Sequence, residues 1–316
     1  MKILLEPKTS KNYLVTVAIG EDHLKDFKKF IYRTWEAYAM VNDIGIILFD
    51  SDLIDKKEDK WKKPNWQKLL VADSIKGKVD DNSVLCYLDT DILINPTAPN
   101  IFEYHKNEFI SVVSQVKNIP YPEIEVKKNI SYNRNKYYSK EYPLDSAIFM
   151  TPMDIYKFHQ KKPQDDYFCT GLLMFQLSKF HHFLKKIFNK YDQLDKTITG
   201  GDEFHINYEL NKLGKLNWID YRFQAIWIYE MGWYYQSLYK FKNKITQSVI
   251  DSVRSSLQRN FFLHFAGSWY ESFLYKSDKI INEKFLLDLE KIDKYKKVKP
   301  KGDPVGIIKP KKNYYV

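Results

Sequence analysis

Cysteine is scarce in this chain: among 316 residues only Cys86 and Cys169 occur, far apart and in no redox or metal-ligand spacing. That excludes a disulfide scaffold and points to a reducing compartment. No run of about 18 apolar residues is present, so no bilayer-spanning helix is expected. An export leader is not expected either, because the opening "MKILLE" is short and gives way to Pro7, Lys8 and Lys11. The sequence has no internal repeat, no paired zinc ligands and no RNP element. A cytoplasmic location is the resulting expectation, with a peripheral position on the inner face of a membrane as its variant.

What is abundant is aromatic. Apolar residues make up 44% of the chain and aromatic ones 16%, with 24 Tyr, 20 Phe and 7 Trp. This supports a sizeable core and leaves aromatic faces for a binding surface. The formal charge of +10 is placed unevenly: residues 291–316 hold nine lysines against Asp293 and Asp303. This tail, "KYKKVKPKGDPVGIIKPKKNYYV", reads either as a solvated end or as an anchor for an anionic surface, membrane or nucleic acid.

Along the chain, "NYLVTVAIG" (12–20), "IGIILFD" (44–50), "SVLCYLDTDILI" (83–94) and "FISVVSQV" (109–116) read as strands. Helical spacing of Leu24, Phe27, Ile31, Trp35 and Tyr38 places a helix over 21–42, and Pro64 opens another over 66–75. Strands alternating with helices predict an α/β domain with a mainly parallel sheet. Residues 117–166 are polar, tyrosine-rich and weakly periodic, which suggests an insertion or lid over a site. "CTGLLMFQL" (169–177) resumes the core, with Ser178 as the expected cap of the next helix. A helix at 200–214 is opened by acids and closed by Gly214. "FFLHFAG" (261–267) is a late strand, and a terminal amphipathic helix is expected over 280–292. The domain reading is 1–275 for a catalytic domain and 276–316 for a C-terminal helix and basic aromatic tail.

Two Asp-x-Asp triplets occur. Asp50 and Asp52 end a strand that runs straight into polar loop, where exposed acids are ordinary. Asp89 and Asp91 are different, since apolar "VLCYL" precedes them and "ILI" follows. Buried carboxylates are costly unless paired, and residues two apart on a strand share a face. Both acids can then reach one divalent ion, and oxygen ligands shared with phosphates suit Mn²⁺ or Mg²⁺. The alternative is a β-turn or a capping pair.

"YLDTDILI" resembles the Asp-x-Asp element of GT-A fold glycosyltransferases, which use nucleotide-sugar donors. Three further stretches follow in that family's order. "VTVAIGEDHL" resembles the opening strand that cups the nucleotide base and implies donor contacts by Val17, Ala18 and Gly20. "CTGLLMFQLSKF" is similar to the strand beneath the acceptor site, with Cys169 in place of the usual Asn, and implies acceptor contacts by Thr170 and Gly171. "LHFAGS" resembles the His-x-x-Gly element of the retaining glycogenin and lipooligosaccharide galactosyltransferase-like group, although "SWYESFLY" stands where Lys-Pro-Trp usually follows. The resemblance spans residues 12–268. It implies a Rossmann-like GT-A sheet flanked by helices, and metal ligation by Asp89, Asp91 and His264. It also implies donor contacts by Thr90, Gly267 and Ser268, with Trp66, Lys68 and Asp73 as further donor-side candidates from "KPNWQKLLVADSI". Asp202 and Glu203 fall where the family carries an acid or amide on the reacting face of the sugar. In the aromatic-dense stretch 217–235, Trp227, Trp233 and Tyr234 are candidates for stacking on an acceptor.

The implied activity is metal-dependent transfer of a sugar from a nucleoside diphosphate, UDP above all, with retention. The acceptor is a hydroxyl on a glycan, a lipid-linked glycan or a nucleic acid. A nucleic-acid-binding protein using the basic tail, and a nucleotidyltransferase consuming a triphosphate, are the rival readings.

Overall fold

The computed structural model describes residues 1–138, 147–193, 201–286 and 288–289. The basic tail and part of the terminal helix expected over 280–292 lie outside the described residues. Ten strands are present among those described: β1 (Lys2–Leu5), β2 (Asn12–Val17), β3 (Gly45–Phe49), β4 (Val84–Leu88), β5 (Ile92–Ile94), β6 (Ile110–Val113), β7 (Leu172–Gln176), β8 (Leu216–Ile219), β9 (Ala225–Ile226) and β10 (Phe262–His264).

Seven of them form one mixed sheet in the order β1-β3-β2-β4-β7-β6-β8. Strands β2, β3, β4, β6 and β8 run one way, while β1 and β7 run against them. The mainly parallel α/β sheet expected from the sequence is thus present. Strands β3, β4 and β7 are apolar along almost their whole length because both sheet faces are covered. One face packs on the helix Tyr32–Asn42, the other on Leu177–Lys190 and the short helical turns between Pro64 and Ile75.

The expected third strand is broken. Val84–Leu88 belongs to the large sheet, but Ile92–Ile94 pairs antiparallel with β10 in a separate three-stranded sheet, β5-β10-β9. Residues 89–91 are the turn between the two sheets. Trp35 fastens the far side of this turn, donating its indole N–H to the Ile92 carbonyl at 2.7 Å.

One local expectation is corrected. The helix at Leu177–Lys190 begins after Gln176 and has no side-chain cap, so Ser178 does not cap it. The stretch 117–166, read as an insertion or lid, contains the regular helix Glu123–Tyr137, which docks on the helix Trp227–Tyr234 through Val126 and Ile130. Its weak periodicity has a physical cause: Asn133 and Arg134 occupy buried positions alongside the two aliphatics. The helix Glu203–Leu213 ends at left-handed Gly214, as read from the sequence.

Candidate active site

The turn at 89–91 hangs over the carboxyl ends of β2 and β4, where open α/β sheets place their ligands. Asp89 is anchored by its own N–H to the Gly171 carbonyl at 2.9 Å. The Asp91 carbonyl accepts from Phe265 N–H at 3.1 Å, which ties the turn to the end of β10. The sequence argument for convergence, one face of one strand, is therefore replaced by a turn that folds both carboxylates toward a third residue. His264 Nε2 lies 3.2 Å from Asp91 Oδ1 and 3.9 Å from Asp89 Oδ2. One ligand atom from each of Asp89, Asp91 and His264 lies within 4.8 Å of the others.

The imidazole is steered from behind. Gln224 is oriented so that its carbonyl oxygen accepts from His264 Nδ1 at 3.3 Å and from Leu172 N at 3.0 Å, while its amide donates to the Cys169 carbonyl at 3.3 Å. A proton fixed on Nδ1 leaves the Nε2 lone pair facing the two carboxylates. With the ring proton on Nδ1, buried Asp91 Oδ1 is left without a hydrogen-bond donor. Three lone-pair-bearing groups facing one another repel unless something positive lies between them. Without a cation a proton does that work: burial disfavours the charged ring, but Asp91 and then Cys169 raise the His264 pKa well above its ordinary value. Two carboxylates and one imidazole can together hold a divalent metal ion.

Gly171 makes the close approach possible. A Cβ there would lie 2.3 Å from His264 Cε1 and 2.9 Å from Asp89 Oδ2. Tyr87, two residues before Asp89, donates its hydroxyl to Asp89 Oδ1 at 2.7 Å.

A second layer lies beneath. Lys68 is buried and its ammonium sits 3.1 Å from Asp202 Oδ2 and 3.7 Å from Asp89 Oδ1. Burial opposes that charge, but Asp202 and then Asp89 outweigh it and hold the lysine pKa above its usual range. Asp202 also accepts from Asn65 Nδ2 at 2.8 Å and from the Thr170 hydroxyl at 3.2 Å. Glu203 has a different setting. Burial first, and then the charge of Asp202, raise its carboxyl to about 7.

Two cavities meet here. A cleft of about 670 Å³ is lined by Val17, Asn65, Tyr87, Asp89, Thr90, Asp91 and Gly267, among others. A second cavity, of about 160 Å³, is lined by Glu203, Cys169 and Gly267 together with residues of 115–155.

The other sequence candidates divide. Gly20 precedes the helix Glu21–Asp26 with φ of 99°, which suits glycine. Ala18 is fully buried and bonds to Phe49, and Ile19 rather than Ala18 reaches the cleft. Ser268 is exposed beside Gly267. Trp66, Asp73 and Trp233 also lie away from the cavities. Trp66 is 1% exposed in the core against His205. Asp73 points away and pairs with Lys185 at 2.7 Å. Trp233 packs against Tyr121, its ring centre 6.3 Å away. Sequence reasoning missed Asn65, Tyr87 and Gln224. Tyr87 had a signal, as a polar aromatic in phase with Asp89; Gln224 had none, since its partners come from distant segments.

No protein-family model matches the sequence, and no curated relative matches it. Solved structures do. A glycosyltransferase involved in glycosylation of the major capsid of PBCV-1 aligns at TM-score 0.47 and 9% identity, over 83% of this chain and 97% of that one. The galactosyltransferase LgtC in complex with donor and acceptor sugar analogues aligns at TM-score 0.41 and 12% identity, over 92% and 98% of the two chains. The apo bifunctional glycosyltransferase WbbM reaches TM-score 0.50 at 10% identity, covering 91% of this chain but only 52% of that one. At 10% identity it is the fold alone that is shared with the last of these: this chain has a mixed α/β architecture like that of the WbbM structure.

Proposed function

We propose that the protein is a metal-dependent glycosyltransferase that moves a sugar from a nucleoside-diphosphate donor, a UDP-sugar first among them, to an acceptor hydroxyl. The observation that carries this reading is the convergence of Asp89, Asp91 and His264 on a cleft at the strand ends, with buried Asp91 Oδ1 left without a donor when the ring proton sits on Nδ1. A divalent cation bound there supplies Lewis-acid stabilisation of the charge that develops on the departing diphosphate. The protein groups do the rest. The turn at 89–91 positions the two carboxylates, and Gln224 holds the His264 tautomer. Gly267, at φ 101°, offers backbone without a side chain between the two cavities.

In the reaction the bond from sugar C1 to the terminal phosphate oxygen breaks, one to the acceptor oxygen forms, and the acceptor's proton passes to the departing diphosphate or, with inversion, to Glu203. Asp202, engaged by Asn65, Thr170 and Lys68, is a positioning group. Glu203 is the catalytic candidate, because it opens into the second cavity with a carboxyl that titrates near neutrality. With retention, the outcome implied by the resemblance of "LHFAGS", its carboxylate faces C1; with inversion it takes the acceptor proton.

The test is a thermal-shift screen of nucleotide sugars with and without Mn²⁺, followed by NMR of the product's anomeric proton. A Mn²⁺-dependent rise with one donor supports the reading. No stabilisation by any nucleotide sugar, or turnover of nucleoside triphosphates instead, overturns it.

A further inference from the structure

Beyond the donor cleft and the Glu203 cavity, two further cavities join into one groove. The first, of about 470 Å³, is lined by Ser114, Lys117, Asp166 and Trp218, and the second, of about 280 Å³, by Arg222, Glu230, Tyr234 and Arg259. Asn118, Asp220 and Tyr221 line both. Ser114 directly follows β6 and Asp220 directly follows β8, strands that run with β2 and β4. The groove therefore opens on the same rim of the sheet as the donor cleft. A wall is shared as well. Ser114 bridges Phe168, and Gln115 N–H donates to the Tyr167 carbonyl at 2.9 Å. This ribbon lines the Glu203 cavity with Gln115 and Tyr167, and the groove with Ser114 and Asp166.

The charges of the groove cancel. Arg222 meets Asp220 at 2.7 Å, Arg259 meets Glu230 at 2.6 Å, and Lys117 meets Asp165 and Asp166 at 2.9 and 3.8 Å. Such a balance gives a polyanion no net attraction. What remains is aromatic and neutral polar. Of the seven tryptophans, all among the described residues, Trp218 alone is exposed, at 38%, with its ring set edge-to-face on Phe168. Tyr234 is 42% exposed, and the Arg259 guanidinium carbon lies 3.8 Å from its ring centre. The Trp218 indole N–H, the Asn118 amide and the Tyr234 hydroxyl have no hydrogen-bond partner among the described residues. A pyranose has the complementary surface: a C–H face that covers an aromatic ring, and a rim of hydroxyls that need partners beside it. We propose that this groove is a second carbohydrate site, holding the distal sugars of a neutral oligosaccharide acceptor on Trp218 and Tyr234. Its role as an acceptor site rests on the glycosyltransferase reading; its carbohydrate chemistry does not.

The test titrates neutral oligosaccharides calorimetrically into the full chain, with and without Mn²⁺ and UDP. Maltohexaose, cellohexaose, laminarihexaose and chitohexaose are the probes. At least one should bind about tenfold or more tightly than its own monosaccharide, since covering one ring face with a sugar is worth about an order of magnitude in affinity. Trp218→Ala should remove that advantage and leave UDP affinity in Mn²⁺ unchanged, while Trp218→Phe should keep most of it. Tyr234→Ala, in the other half of the groove, should weaken the same oligosaccharide and serves if the first variant does not fold. No binding by any of the probes, or an advantage that survives both alanine substitutions, overturns the proposal. UDP binding in Mn²⁺ without oligosaccharide binding removes this inference alone. Oligosaccharide binding that Trp218→Ala abolishes, without Mn²⁺-dependent nucleotide binding, removes the glycosyltransferase reading and leaves a carbohydrate-binding groove.

Discussion

Among the described residues, two clusters of buried charge are built to opposite rules. In one, Arg134 donates through Nε and Nη2 to Glu271 Oε1 at 2.8 and 2.5 Å, Tyr138 covers the other carboxylate oxygen at 2.7 Å, and Trp269 lies 4.2 Å from the guanidinium carbon. Both Glu271 oxygens are satisfied, and the pair pins the helix Glu123–Tyr137 to the segment after β10. In the other, Lys68 lies between Asp202 and Asp89 while Asp91 faces His264, so carboxylates outnumber their partners and one Asp91 oxygen has no donor when the ring proton sits on Nδ1. Balanced charge in the interior holds parts together. Unbalanced charge of one sign, held in place by glycine and a rigid turn, is the mark of a place where something else binds.

That contrast can be broken by mutation. The largest effect is expected from Asp89→Ala: transfer should fall at least about a thousandfold, equivalent to several kcal/mol of leaving-group stabilisation, and the Mn²⁺-induced rise in Tm should vanish, while the metal-free Tm stays close to wild type. A metal-free Tm that collapses instead would show that Asp89 is structural. Arg134→Met should do the reverse. It leaves Glu271 buried and unpaired and should cost about 3–5 kcal/mol of stability by urea denaturation, with nucleotide affinity retained at temperatures where the variant is folded.

Gln224→Leu should weaken Mn²⁺ binding about 10–100-fold in a metal titration, because the ring behind the ligand atom loses its orienting acceptor. An unchanged affinity would mean that the tautomer is set elsewhere. The Glu203 carboxyl is raised to about 7. The sign follows: the folded state favours the protonated acid, so the native state gains stability from this group as pH falls from about 7 toward the ordinary glutamate value. If the ionised form is the active one, transfer should rise with pH through about 7, and Glu203→Gln should remove that limb of the profile. The smallest effect is expected at Asp73. It pairs with Lys185 at the surface, so Asp73→Asn should change stability by less than about 1 kcal/mol and donor affinity not at all.

The sheet was legible because central strands buried on both faces leave runs such as "GIILF" and "LLMFQ" that few other structures produce. The acid pair was legible for a different reason from the true one: apolar flanks singled out Asp89 and Asp91, but those flanks are the ends of two strands in two sheets. Trp66 and Asp73 were misplaced because a helical stretch between a loop and a strand does not announce which face it buries. The clamp of Asn65, Lys68 and Thr170 on Asp202, and the hold of Gln224 on His264, arise from contacts across 32 to 137 residues of chain; periodicity cannot report them. The helix Glu123–Tyr137 escaped because one of its inward positions is an arginine whose partner lies 137 residues away.

The turn at 89–91 has one more consequence. Asp89 is carried by the seven-stranded sheet, whereas Asp91 and His264 are carried by the three-stranded one, and no strand is common to both. An ion gripped by all three would act as a rivet between two separately hydrogen-bonded layers, so any sliding of one layer over the other would be felt at once as a change in how tightly the ion is held.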